Sequence, residues 1–138
     1  MSPSTSLSTH VLDTALGRPA AGMPVRLEAA TPDGWTPLVT TRTDHDGRAA
    51  REAFAEALAA NASPYVPPAD APPSRTGGTY RLVFDTASYF ADRGVKEYFY
   101  PEVVVCFTVP ESDAAERDAH FHVPLLLSPF GYSTYRGS

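Results

Sequence analysis

The chain has 138 residues, 16 of them acidic against 11 basic, for a formal charge of −5. That is enough for one domain with a single core, and it gives no broad cationic surface for nucleic acid or an anionic membrane. One cysteine, Cys106, excludes an intrachain disulfide and a disulfide-stapled secreted fold, no apolar run is long enough to span a membrane, and Met1–Ser6 has no secretory-signal character. The expectation is a single domain over residues 1–138 that starts near Met1 in a reducing compartment.

Fourteen prolines, many in one segment, together with β-branched and aromatic runs, predict an antiparallel β protein carrying one long loop. Leu7–Asp13 alternates: Ser8, His10 and Leu12 share one face of a strand, and Leu7, Thr9 and Val11 share the other. Gly17-Arg18-Pro19 and Ala21-Gly22 mark turns before a second strand, in which Val25, Leu27 and Ala29 alternate with Arg26 and Glu28. Pro32-Asp33-Gly34 turns into a Thr-rich strand over Trp35–Thr43, with Trp35 expected to pack. Asp44-His45-Asp46-Gly47 reads as a tight turn that delivers Arg48, with Gly47 free to take positive φ.

Ala49–Asn61 is Ala-rich with Phe54 and Leu58 four apart, the pattern of a short amphipathic helix. Asn61–Thr76 is proline-rich and reads as an extended surface loop, so residues at about 49–76 form an Ala/Pro-rich insertion. Thr79–Phe84 is a half-buried strand with Tyr80, Leu82 and Phe84 inward. Thr86 is placed to cap a short helix through Tyr89 and Phe90 that Gly94 closes. Glu102–Val109 is almost continuously apolar, and Cys106 within it reads as a buried small hydrophobe. Pro110–Ala119 is an acidic, solvated loop. In the strand that follows, His120, His122, Pro124 and Leu126 share one face, opposite Phe121, Val123, Leu125 and Leu127. Tyr132–Ser138 alternates like a further strand.

The run His-Phe-His-Val-Pro-Leu-Leu-Leu-Ser-Pro, with Gly-Tyr-Ser-Thr and Tyr-Arg-Gly-Ser, resembles the C-terminal signature of the transthyretin-like 5-hydroxyisourate hydrolases. Thr9–Pro24 resembles their N-terminal signature, and Thr-Asp-His-Asp-Gly-Arg is similar to their turn bearing an active-site arginine. The proline-rich insertion departs from the family, whose members cross this region with a shorter connection. The resemblance implies an all-β, transthyretin-like β-sandwich of two four-stranded antiparallel sheets of Greek-key type with one short helix. It also implies hydrolysis of 5-hydroxyisourate to 2-oxo-4-hydroxy-4-carboxy-5-ureidoimidazoline in urate breakdown. The implied assembly is a homotetramer with sites at the dimer–dimer interface and no cofactor. The implied compartment is cytoplasmic, or peroxisomal in a eukaryote, although Arg-Gly-Ser is not a Ser-Lys-Leu address.

The family pattern falls on His10, Arg48 and His122 as catalytic residues, and on Tyr135, Arg136, Gly137 and Ser138 as substrate-binding residues. Ring opening needs an activated water, stabilisation of an oxyanion and a proton for the departing nitrogen. Imidazoles titrate near neutrality and suit the proton transfers, whereas Arg48 keeps its charge and offers a planar fork of donors. The sequence leaves open which histidine is the base. A lone strand histidine such as His10 is often structural, and His120 supports His122 or faces solvent. His120 and His122 could ligate zinc only with further donors, for which His10 and His45 are the obvious candidates; no metal is expected. Phe130, Tyr132 and Tyr135 equally suit interface packing. The alternative is a carrier: transthyretin uses this fold to bind thyroid hormone without catalysis, and the carriers lack the His, Arg, His combination and the Tyr-Arg-Gly-Ser ending.

Overall fold

The computed structural model describes residues 5–60, 78–109 and 119–138. The proline-rich segment after Asn61 and the acidic segment from Pro110 to Asp118 lie outside the described residues. In chain order the elements are Thr5–Asp13 (β1), Arg18–Pro19 (β2), Pro24–Thr31 (β3), Gly34–Arg42 (β4), Arg48–Ala49 (β5) and Arg51–Ala60 (α1). They continue with Thr79–Phe84 (β6), Thr86–Asp92 (α2), Val103–Thr108 (β7), Ala119–Ser128 (β8) and Gly131–Thr134 (β9).

Two sheets stack around one core. One has the order β4-β3-β6-β7 and is antiparallel throughout. The other has the order β2-β1-β8-β9 with β5 also against β1, so it holds five strands, and its central β1–β8 pair runs parallel. The β-sandwich expectation holds, while the count and direction of strands in this second sheet differ from two four-stranded antiparallel sheets. Strands separated by more than a hundred residues have no hairpin to set their relative direction. Here burial sets it: Leu7, Val11, Phe121, Leu125 and Leu127 all turn inward when β1 and β8 run side by side. The buried Thr9 hydroxyl donates to the Val123 carbonyl at 2.6 Å and ties the two strands together.

The facing sheet contributes Val25, Leu27, Leu82 and Phe84, all fully buried. Each such side chain stabilises the fold by roughly 1.5–3 kcal/mol. α1 confirms the Phe54 and Leu58 spacing: both are buried where the helix packs over β1 and β4. There are therefore two helices among the described residues. α2 is capped by Asp85 rather than Thr86, through a bond from the Ser88 amide to Asp85 Oδ1. Thr86 is instead fully buried and donates its hydroxyl to the Tyr100 carbonyl. Tyr89 on α2 reaches across to donate to Asp13 Oδ2 at 2.7 Å, which anchors the end of β1.

Cys106 is exposed, contrary to the expectation of a buried residue. An apolar run reads as buried on both faces, but β7 belongs to a two-layer sandwich and only its inner face meets the core. Trp35 is half-buried beneath the Arg81 guanidinium, 4.3 Å from the ring centre. Arg81 and Arg26 both donate to the buried Glu28 carboxylate at 2.6 Å. That acid therefore belongs to the outer face of the β4-β3-β6-β7 sheet and is not available to the site below.

Candidate active site

The outward face of the β2-β1-β8-β9 sheet is polar where a core-facing strand pair would be apolar. Period-two alternation in β1 puts Ser6, Ser8 and His10 on it, and the same alternation in β8 adds His120 and His122. Register then makes neighbours of residues far apart in sequence. His10 lies opposite Arg48 on one side and Pro124 on the other, Ser8 lies opposite His122, and Ser6 lies opposite His120.

Arg48 owes its place to the turn before it. Asp44 Oδ1 accepts the amides of Asp46 at 2.9 Å and Arg48 at 3.0 Å, while the Asp44 amide donates to the Arg48 carbonyl at 2.8 Å. The Arg48 amide is the main cause of a lowered Asp44 pKa, so the turn keeps its carboxylate charged. Gly47 closes it at φ 75°, and a Cβ there would sit 2.5 Å from the Val11 carbonyl oxygen. Only glycine fits both the conformation and the space.

The tail reaches the same strand from the other side. β9 folds back on β8, and beyond it the Gly137 amide donates to the His122 carbonyl at 2.8 Å. A Cβ on Gly137 would lie 2.5 Å from His122 Cδ2. Gly137→Ala should therefore push the tail or the imidazole out of place, lowering kcat while the melting temperature stays within a few degrees. An unchanged kcat would detach the tail from the histidine's alignment.

Two concavities meet at His122. One, of about 270 Å³, is bounded by Ser8, Arg48, His120 and His122 on the sheet and by Arg51 and Glu52 from the start of α1. The other, of about 250 Å³, is mostly apolar and runs between β7 and the tail, with Tyr135 and Arg136 on its wall. The Arg136 guanidinium stacks 4.8 Å over the Phe121 ring. The polar concavity holds the groups able to do chemistry. His10 is not on its wall, but it sits beside Arg48 across the β1–β5 pair and acts electrostatically on His122. Ser138 follows Gly137 as an exposed residue.

Burial pushes the His122 pKa below the ordinary 6.5, and the charges of His10, His120 and Arg48 push it the same way, against hydrogen bonding to Ser8. His120 is lowered too, by burial and then by Arg51. Both imidazoles are thereby favoured neutral, the form a base requires. His120 does not merely face solvent: Nδ1 lies 2.7 Å from Ser6 Oγ and Nε2 lies 3.0 Å from Ser8 Oγ. Ser8 Oγ is also 2.8 Å from His122 Nδ1. Sequence reasoning passed over Ser6, Ser8, Arg51 and Glu52. Ser8 was legible only as a position on the face of His10, Ser6 fell before the strand read from the sequence, and the α1 pair carried no signal before the helix was packed. His45 is exposed in its turn, apart from the other histidines, where with Asp44 and Asp46 it forms an exposed trio of potential metal donors.

Residues 7–137 match the HIUase/Transthyretin family. The chain is 42% identical over 139 residues to 5-hydroxyisourate hydrolase 2 of Rhizobium meliloti, covering 100% of both chains. Among solved structures, Klebsiella pneumoniae 5-hydroxyisourate hydrolase is similar with a TM-score of 0.66 at 32% identity, over 97% of this chain and 99% of that one. Transthyretin from Sparus aurata is similar with a TM-score of 0.68 at 28% identity, over 96% of each chain. Enzyme and transthyretin resemble the fold equally, so the side chains on the polar face must distinguish them.

Proposed function

Because the chain belongs to the HIUase/Transthyretin family, we propose that it hydrolyses 5-hydroxyisourate to 2-oxo-4-hydroxy-4-carboxy-5-ureidoimidazoline in urate breakdown. One observation carries the reading. Arg48, His10 and His122 stand on three adjacent strands of one face, with His122 held neutral against a concavity. A carrier has no use for a neutral base beside a fixed cation.

His122 takes a proton from water as the oxygen attacks the substrate carbonyl, and the Arg48 guanidinium stabilises the oxyanion that forms. His10, next to Arg48, positions the water or returns a proton to the departing ring nitrogen. Tyr135, Arg136, Gly137 and Ser138 bind substrate around His122, with the Gly137 bond holding the tail there. The hydrolysis uses imidazole and guanidinium groups and needs no cofactor.

The direct test generates 5-hydroxyisourate in place from urate with urate oxidase and follows its ultraviolet decay. Accelerated decay is expected, and an unchanged spontaneous rate with folded protein would refute the activity. Because His122 must be neutral to act, kcat/KM should be high at neutral pH and fall as pH drops through the folded pKa, with a midpoint below 6.5. A midpoint at or above 6.5 contradicts the assignment. The same depression makes stability complete above the unfolded value of 6.5 and eroded as pH falls from there to the folded value.

The working assembly is a homotetramer with sites between dimers. Exposed Phe99, Phe130, Tyr132 and Tyr135 support this, since large aromatic side chains on a surface suit an interface. Sedimentation should give four chain masses; a monomer that is fully active would exclude it. No helix among the described residues is long and apolar enough to cross a membrane.

A further inference from the structure

The serine hydroxyls on β1 do more than fill the space between histidines. Ser8 Oγ lies within hydrogen-bond distance of both His122 Nδ1, at 2.8 Å, and His120 Nε2, at 3.0 Å. A hydroxyl has one proton, so it donates to one ring and must accept from the other. The tautomers of the two imidazoles are therefore linked. Ser6 Oγ, 2.7 Å from His120 Nδ1, extends the chain towards the start of β1. Ser8 engages Nδ1 of His122, so Nε2 is the ring nitrogen turned away from the serine.

Resting on the hydrolase reading above, we propose that Ser8 and His120 are positioning residues that fix the tautomer of His122 and share the charge it acquires during turnover. A base at His122 Nε2 needs its proton on Nδ1. Nδ1–H then donates to Ser8 Oγ, Ser8 donates to His120 Nε2, and His120 Nδ1–H donates to Ser6 Oγ. When Nε2 takes a proton from water, the Nδ1 proton moves to Ser8 Oγ as Ser8's own proton moves to His120 Nε2. Two hops transfer the positive charge from His122 to His120, every heavy atom staying in place. His122 is left neutral with a proton on Nε2 while His120 stores the charge. The reverse hops return a proton to Nδ1 and recharge His122, which then gives its Nε2 proton to the departing nitrogen and is left in its starting tautomer.

The surroundings favour the exchange. His122 is the less exposed ring and feels His10, His120 and Arg48, whereas His120 is more exposed and feels Arg51, and Glu52 lines the same concavity. The alternation of Ser6 and Ser8 with inward Leu7 and Thr9 places both hydroxyls on the histidine face without disturbing the core.

The test reads imidazole nitrogen-15 signals in the whole protein at alkaline pH, where both rings are neutral, beside steady-state rates. In the wild type both rings should carry the proton on Nδ1. In Ser8→Ala, His122 should revert to Nε2–H, the tautomer a free imidazole prefers, and kcat should fall roughly tenfold, a part of the 10²–10⁴ that a general base supplies, with KM nearly constant. Ser8→Thr, which restores the hydroxyl, should recover both tautomer and rate. His120→Gln can still accept the Ser8 proton but cannot carry charge; it should hold the His122 tautomer and lose kcat. A His122 tautomer that ignores Ser8→Ala, or a rate loss that Ser8→Thr does not recover, overturns the proposal. Failure of the wild type to hydrolyse 5-hydroxyisourate would instead sink the activity, and the tautomer signals would still decide the linkage.

Discussion

His122→Ala should lower turnover of 5-hydroxyisourate by about 10²–10⁴-fold, the contribution of a positioned general base, while the protein remains folded. The fold should survive because this side chain points away from the core. Its neighbours Phe121 and Val123 are the buried ones, and the Gly137 amide bonds to the main-chain carbonyl of His122, which alanine retains. The measurement is kcat from the ultraviolet decay assay, with circular dichroism as the check on folding. A folded variant with a normal rate would move the base elsewhere, and His10 would be the next to replace.

Arg48→Ala is expected to cost about 10²–10³-fold in kcat, the loss typical of one oxyanion donor. Arg48 is exposed and its turn is built from main-chain bonds to Asp44, so removing the side chain leaves the turn and the β1–β5 pair in place. Arg48→Lys should fail to restore the rate, because an ammonium on a flexible stem does not reproduce a planar fork of donors. Full activity in Arg48→Lys would reduce the arginine to a point charge that helps bind an anionic substrate. Loss of binding without loss of kcat in Arg48→Ala would lead to the same revision.

The long strands of the sandwich could be read from their own residues, whereas the two-residue β2 and β5 lie where the sequence reads as a turn and as the start of a helix. Leu7, Thr9 and Val11 alternate with Ser8 and His10 because a pleated backbone turns successive side chains to opposite faces, and the structure keeps that alternation. The α1 helix followed from Phe54 and Leu58 by the same local logic at a different period. Arg48 could be placed after its turn because aspartate and glycine have fixed uses in tight turns. His10, Arg48 and His122 could be named as a set only through the resemblance, since nothing local says that three residues spread over a hundred positions meet.

Which residues meet was settled by tertiary structure. The parallel pairing of β1 with β8 puts Ser8 against His122, and a register one residue away would turn either the serines or the histidines into the core. That register is chosen by how many apolar side chains the whole sandwich can bury, a quantity no short stretch contains. The same global accounting exposes Cys106, because a two-layer sandwich covers each strand on one face only and Cys106, opposite Arg81, lies on the other. It also brings Arg51 and Glu52 from α1 to the rim of the concavity. The sequence by itself determined the long strands, the turn and the chemical groups available, through backbone geometry acting over a few residues. Only the packed sandwich decided that two serines and two histidines would form one hydrogen-bonded chain, because long-range register follows from burying the core.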